Sequence, residues 1–133
     1  MAHSNGQSPT VFVIDDDDNV RASIAGLVRS VGLRAETFTS ADEFLSRERS
    51  DGPACLVIDF RLRSMTGFEA RRQLSDAGLE IPTIFISGYD DEPVIARAMK
   101  ASAVAFLTKP FEDQDLLNAI QEALNRDRAM REP

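Results

Sequence analysis

Three aspartates, one serine and one lysine draw attention because each closes a short apolar run. Asp15 and Asp16 follow "VFVI", Asp59 follows "CLVI", Ser87 follows "TIFI", and Lys109 follows "VAFLT". Carboxylates gathered from separate segments repel unless a cation or a proton is shared, and a hard divalent cation with oxygen ligands is the natural partner. Mg2+ (or Mn2+) takes one or two carboxylates, keeps several waters and accepts phosphate oxygens. A carboxylate can also act as a nucleophile and form an aspartyl phosphate. Lys109 offers a point charge for a phosphoryl oxygen or for Asp59, and Ser87 offers a hydrogen-bond donor. Together they outline a phosphoryl-transfer site that works by positioning and charge neutralisation. Singly they carry plainer readings: an acidic helix cap for Asp15 and Asp16, a turn hydrogen bond for Ser87, a solvated lysine for Lys109.

Elements that bring these residues together are legible in the apolar pattern. Near-continuous runs at Val11–Ile14, Cys55–Ile58, Thr83–Ile86 and Val104–Leu107 suit strands buried on both faces. "RAETF", Arg34 to Phe38, alternates and suits an edge strand. Between and after them run helical patterns: Val20, Ile24, Leu27, Val28 and Val31, stopped by Gly32; "SADE", a capping box before Phe44 and Leu45; Phe68, Leu74 and Ala77, stopped by Gly78; Val94, Ile95, Ala98 and Met99; and Leu116, Leu117, Ile120 and Leu124. Asp17 and Asp18 precede the first stripe, where capping and dipole complementation explain them. Five β-α repeats predict an α/β fold with a parallel five-stranded sheet, helices on both faces, and the flavodoxin-like order 2-1-3-4-5. That order makes neighbours of the first, third, fourth and fifth strands, whose carboxyl ends hold the five polar residues.

Composition narrows the function further. The chain has 133 residues, 43% hydrophobic and 28% charged, which suits one domain. We expect a polar lead-in over 1–9, the domain over 10–126 and a tail or linker start over 127–133. A net charge of -7 disfavours direct contact with nucleic acid or anionic membranes. No apolar stretch approaches the roughly 20 residues of a membrane span, and "MAHSNGQSP" has no apolar core of a secretory signal. The single Cys55 cannot form an internal disulfide, and a cytoplasmic setting is expected. His3 is the only histidine and lies in the polar lead-in, so histidine catalysis is disfavoured. The loop after the first run, "DDDDN", lacks the glycines that cradle a nucleotide.

In this order and context, Asp15–Asp16, Asp59, Ser87 and "KPF" at Lys109–Phe111 make the chain resemble the receiver domain of two-component response regulators, over roughly Thr10 to Arg126. "IFISGYDDEPVIARAMKASAVAFLTKPF" and "TFTSADEFL" look most like the FixJ-like branch, whose receivers commonly precede a DNA-binding domain. The resemblance implies that Asp59 accepts a phosphoryl group from a histidine kinase or phosphotransfer protein. It implies Mg2+ held by Asp16 and Asp59, by Asp15 through water, and by the backbone carbonyl of Arg61. Lys109 then pairs with Asp59 and with the phosphoryl group, Ser87 is the switch hydroxyl, Phe106 the aromatic switch, and the Lys109–Pro110 peptide is cis. Phosphorylation would shift the fourth and fifth helices and the strand between them, a face that could also form a homodimer. Such a domain assists its own phosphotransfer and is not a turnover enzyme.

Departures from the family pattern mark where this chain has its own chemistry. Four residues past Asp59, where the family usually carries proline, stands Arg63, and the loop "DFRLRSMTG" gains freedom and charge. Either Arg61 or Arg63 is expected to offset the carboxylates. Tyr89, two residues past Ser87, is expected to shield a phosphoryl group from water, and Ser102 replaces the glycine of the family's "KAGA". Two rival readings stand beside the receiver: a stand-alone interaction module, and an aspartyl-nucleophile Mg2+ phosphatase. The phosphatase reading needs a second acid two residues after the nucleophile, where this chain has Arg61.

Overall fold

A computed structural model describes residues 8–47, 52–88 and 105–131. Five strands, β1 (Thr10–Ile14), β2 (Arg34–Phe38), β3 (Ala54–Asp59), β4 (Thr83–Ser87) and β5 (Ala105–Thr108), pair in the order β2-β1-β3-β4-β5. Every pairing is parallel. The helices are α1 (Asp18–Ser30), α2 (Ala41–Leu45), α3 (Gly67–Asp76) and the C-terminal helix, Asp113–Arg131. The expected α/β architecture, with β2 at an edge, is the one observed.

Alternate residues of the central strands feed two cores, which is why those strands read as unbroken apolar runs. Val11, Val13, Val57 and Ile84 pack with Ile24 and Val28 of α1 and with Leu116, Ile120 and Leu124 of the C-terminal helix. Phe12, Ile14, Leu56, Ile58 and Phe85 pack with Phe44 of α2 and Ala70 and Leu74 of α3. Cys55 is fully buried, and desolvation of the thiolate pushes its thiol well above the ordinary range, consistent with an inert core thiol.

Helix ends differ from the sequence reading in detail. Asp17 caps α1 by accepting from the backbone N–H groups of Asn19 (2.8 Å) and Val20 (3.1 Å), as its position predicts. Val31, assigned to the apolar stripe, lies past the helix end and is 51% exposed. "SADE" forms only half a capping box: Ser40 accepts from the Glu43 N–H at 3.1 Å, whereas the Glu43 carboxylate reaches past Ser40 to the Thr39 N–H at 2.6 Å. The complete box is at Thr66 and Glu69, ahead of α3. Gly32 and Gly78 stop α1 and α3 with φ of 86° each, a conformation that favours glycine. The C-terminal helix continues through the expected tail to Arg131, and Asp127 within it is buried. The fourth helical pattern, Val104 and Ser102 fall outside the described residues.

Candidate functional site

The polar residues singled out in the sequence converge at the carboxyl ends of the strands. Asp15 follows β1 directly, and its backbone N–H donates to the Phe38 carbonyl at 3.1 Å. Asp59 is the last residue of β3, and β3 pairs with β1 along its length. One carboxylate oxygen from each of Asp15, Asp16 and Asp59 lies within 4.8 Å of the others. Asp15 is only 1% exposed, while the other two are half-buried. Burial pushes the Asp15 carboxyl up to about 6, and the charges of Asp59 and Asp16 push the same way. The Asp17 N–H, donating to Asp15 Oδ1 at 2.8 Å, and the Lys109 charge oppose that rise. Burial and the two neighbouring carboxylates therefore disfavour the ionised form of Asp15.

Lys109 and Ser87 complete the rim. The Lys109 N–H donates to the Ser87 carbonyl at 2.8 Å, joining the ends of β4 and β5, and the following peptide to Pro110 is cis, as the resemblance implied. The Ser87 side chain is fully buried, yet its hydroxyl has no hydrogen-bond partner among the described residues. A buried hydroxyl of this kind is available to an acceptor that reaches the strand end.

The segment after Asp59 is tied down at several points despite its missing proline. The Phe60 N–H donates to Ile86 (2.7 Å), the Gly67 N–H returns to Phe60 (2.6 Å), and the Leu62 N–H bonds Met65 (3.0 Å). Arg61 bridges to Thr66, and its N–H faces Asp59 Oδ1 at 3.4 Å. At Gly67 a Cβ would sit 2.9 Å from the Asp59 carbonyl oxygen, closer than real contacts allow, and a tight 3.1 Å from Phe60 Cα. The loop can fold back on the site because that position has no side chain.

Residues 11–121 match the response regulator receiver domain. The chain belongs to this family. It is 47% identical over 122 residues to nodulation protein W of Bradyrhizobium diazoefficiens, covering 92% of this chain and 54% of that protein. It is 43% identical over 122 residues to the response regulator TmoT of Ectopseudomonas mendocina, covering 92% of this chain and 56% of that protein. Among solved structures, FixJ-N superposes with a TM-score of 0.79 at 38% identity, covering 90% of this chain and 95% of that one. The chain thus spans about half the length of these two full-length relatives, and its likeness to FixJ-N agrees with a FixJ-like receiver.

Within the receiver, the residues expected to modulate the site are placed less uniformly than the acids. Arg63 is exposed and lines a cavity of about 530 Å³ with Asp16, Asp18, Thr39 and Ser64, but makes no ion pair among the described residues. Phe106 is half-buried against the rings of Phe85 (5.8 Å between centroids) and Phe60 (6.0 Å). Tyr89 lies outside the described residues. Sequence reasoning missed Gly67, whose close approach shows only in three dimensions. It also missed Arg21, which donates to the Asp15 carbonyl at 2.6 Å and pairs with Asp18. Its signal was available: Arg21 is the first cation after four consecutive aspartates.

Proposed function

We propose that Asp59 is the phosphoacceptor of this receiver, with Asp15, Asp16 and the Arg61 carbonyl positioned to hold Mg2+ (or Mn2+) beside it. The observation that carries the reading is the three-carboxylate cluster gathered at the ends of two strands. An all-oxygen donor set of that kind fits a hard divalent cation. When bound, the cation neutralises charge on the phosphoryl oxygens. An Asp59 oxygen forms the new bond to phosphorus as the phosphorus–nitrogen bond of a donor phosphohistidine breaks, and the freed imidazole takes up a proton. Lys109 binds a phosphoryl oxygen as a point charge. The Ser87 hydroxyl, which has no partner among the described residues, donates to another, so phosphorylation offers it an acceptor. Phe106 follows Ser87 inward, and the face formed by β5 and the C-terminal helix changes population.

In this reading the donor is a sensor histidine kinase or phosphotransfer protein in the cytoplasm. The switched face serves an output domain in transcription regulation, or a homodimer. Arg63 weakens Mg2+ binding by its charge, and Tyr89 lengthens the life of the phosphoryl group. Among the described residues no helix is long and apolar enough to cross a membrane. Incubation with a small phosphodonor and Mg2+, read by intact mass, tests the site: one adduct is expected, absent in Asp59→Asn. Rapid turnover of the donor without an adduct would favour the phosphatase, and neither adduct nor turnover the interaction module.

A further inference from the structure

We propose that Arg21 is a positioning residue for the cation site: by gripping the Asp15 carbonyl and the Asp18 carboxylate together, it sets the turn that aims the Asp15 and Asp16 carboxylates. This rests on the reading of the acidic cluster as a cation site. Arg21 projects from α1 back onto the end of β1, and its side chain is only 15% exposed. One guanidinium nitrogen donates to the Asp15 carbonyl at 2.6 Å, and the other pairs with Asp18.

The contact fixes more than one atom. The Asp15 N–H is held by Phe38 at 3.1 Å, and its carboxylate receives the Asp17 N–H at 2.8 Å. The carbonyl is the remaining backbone handle, and it defines the peptide plane from which Asp16 departs. With the carbonyl held, that plane is fixed, which narrows the directions in which the Asp16 side chain can leave the chain. Four consecutive carboxylates otherwise favour a splayed turn. A guanidinium suits the task because its planar fork donates in two fixed directions, which an ammonium does not reproduce.

Charge and positioning make opposite predictions here. As a nearby positive charge, Arg21 should weaken Mg2+ binding, so its removal should tighten it. As a positioning group, its removal should loosen binding. We expect Arg21→Met to weaken Mg2+ about tenfold, the scale of lost outer contacts at metal sites, measured by calorimetric titration of the full chain. Arg21→Lys keeps the charge, loses the fork, and should weaken binding comparably; it also carries the test if Arg21→Met does not fold. Thermal unfolding without metal, run alongside, should fall far less than the Mg2+ affinity. Equal or tighter binding in Arg21→Met, full recovery in Arg21→Lys, or an affinity loss no larger than the general loss of stability would each overturn the proposal. Asp16→Asn separates the two layers. If wild type binds no Mg2+, or Asp16→Asn binds it equally well, the cation site itself fails and this proposal falls with it.

Discussion

Asp15 and Asp127 are the same residue type, almost equally withdrawn from water at 1% and 3% exposure, at opposite ends of the sheet. Asp127 lies at the amino end, where its Oδ2 accepts from the Ala54 N–H at 2.8 Å and from Arg131 Nε at 2.7 Å. Asp15 lies at the carboxyl end, beside two further carboxylates. β4 repeats the contrast within one strand. It begins at Thr83, whose hydroxyl accepts from Arg71 at 3.0 Å and donates to the Ile81 carbonyl at 2.8 Å. It ends at Ser87, whose hydroxyl has no partner among the described residues. The amino end of the sheet spends its buried polar groups on stability. The carboxyl end gathers like charges, and a hydroxyl with no partner among the described residues, where charges and oxygens can arrive from outside.

The sharpest break of this contrast compares the two aspartates directly. Asp127→Ala strands the Ala54 N–H and unpairs Arg131, and should lower unfolding free energy by about 3 kcal/mol. Asp15→Asn relieves a desolvated, repelled charge and should raise it by about 1–3 kcal/mol at pH 7 without Mg2+. Urea unfolding of both variants decides the matter; equal losses would show that the two ends do not differ.

Acidity tests the same difference from the solvent side. The Asp15 carboxyl sits at about 6 in the fold, against about 3.9 in an unfolded chain. Between those values the folded chain binds the proton that the unfolded chain has lost. The stability this group contributes is therefore complete below about pH 4, declines as pH rises through 6, and is absent above, a span of up to about 3 kcal/mol. Subtracting the pH profile of Asp15→Asn from that of wild type should leave this falling curve. Mg2+ competes with the same proton, so its affinity should drop as pH falls below about 6.

A smaller effect comes from the glycines. Gly67→Ala drives a Cβ to 2.9 Å from the Asp59 carbonyl, and should lower stability by about 1–3 kcal/mol and slow phosphorylation. Gly26→Ala, within α1 and with nothing inside 4 Å of its Cβ, should raise stability by up to about 1 kcal/mol. Thermal unfolding of the pair, with adduct formation for Gly67→Ala, separates tight backbone packing at the site from ordinary helix propensity.

The two ends were unequally legible in the sequence. Buried parallel strands write themselves as apolar runs, and the residue after each run names what the sheet presents, so Asp15, Asp16, Asp59, Ser87 and Lys109 group together in the sequence alone. Asp127 could not. It is one acid in a charged helix tail, and its bond to Ala54 spans 73 positions along the chain. Gly67 was hidden likewise, since its constraint comes from the Asp59 and Phe60 backbone. Caps fell between these extremes: "SADE" matched the pattern, but Glu43 had a better donor in Thr39, a competition that spacing does not rank.

The two hydroxyls of β4 give the finest test. Thr83→Val keeps shape and removes a hydroxyl with two partners, leaving the Ile81 carbonyl short of a donor; a loss of about 1 kcal/mol is expected. Ser87→Ala removes a buried hydroxyl that holds no partner among the described residues, so resting stability should change by less than about 0.5 kcal/mol or improve slightly. The order should invert once the site is loaded. A beryllofluoride adduct on Asp59 offers fluorines where the phosphoryl oxygens would lie, and wild type should gain stability from it that Ser87→Ala gains only in part, whereas Thr83→Val should gain in full. Unfolding midpoints with and without beryllofluoride and Mg2+ read this directly. An equal gain in all three proteins would mean that the Ser87 hydroxyl finds no acceptor in the loaded state, and its burial would then belong to the packing of β4 rather than to the site.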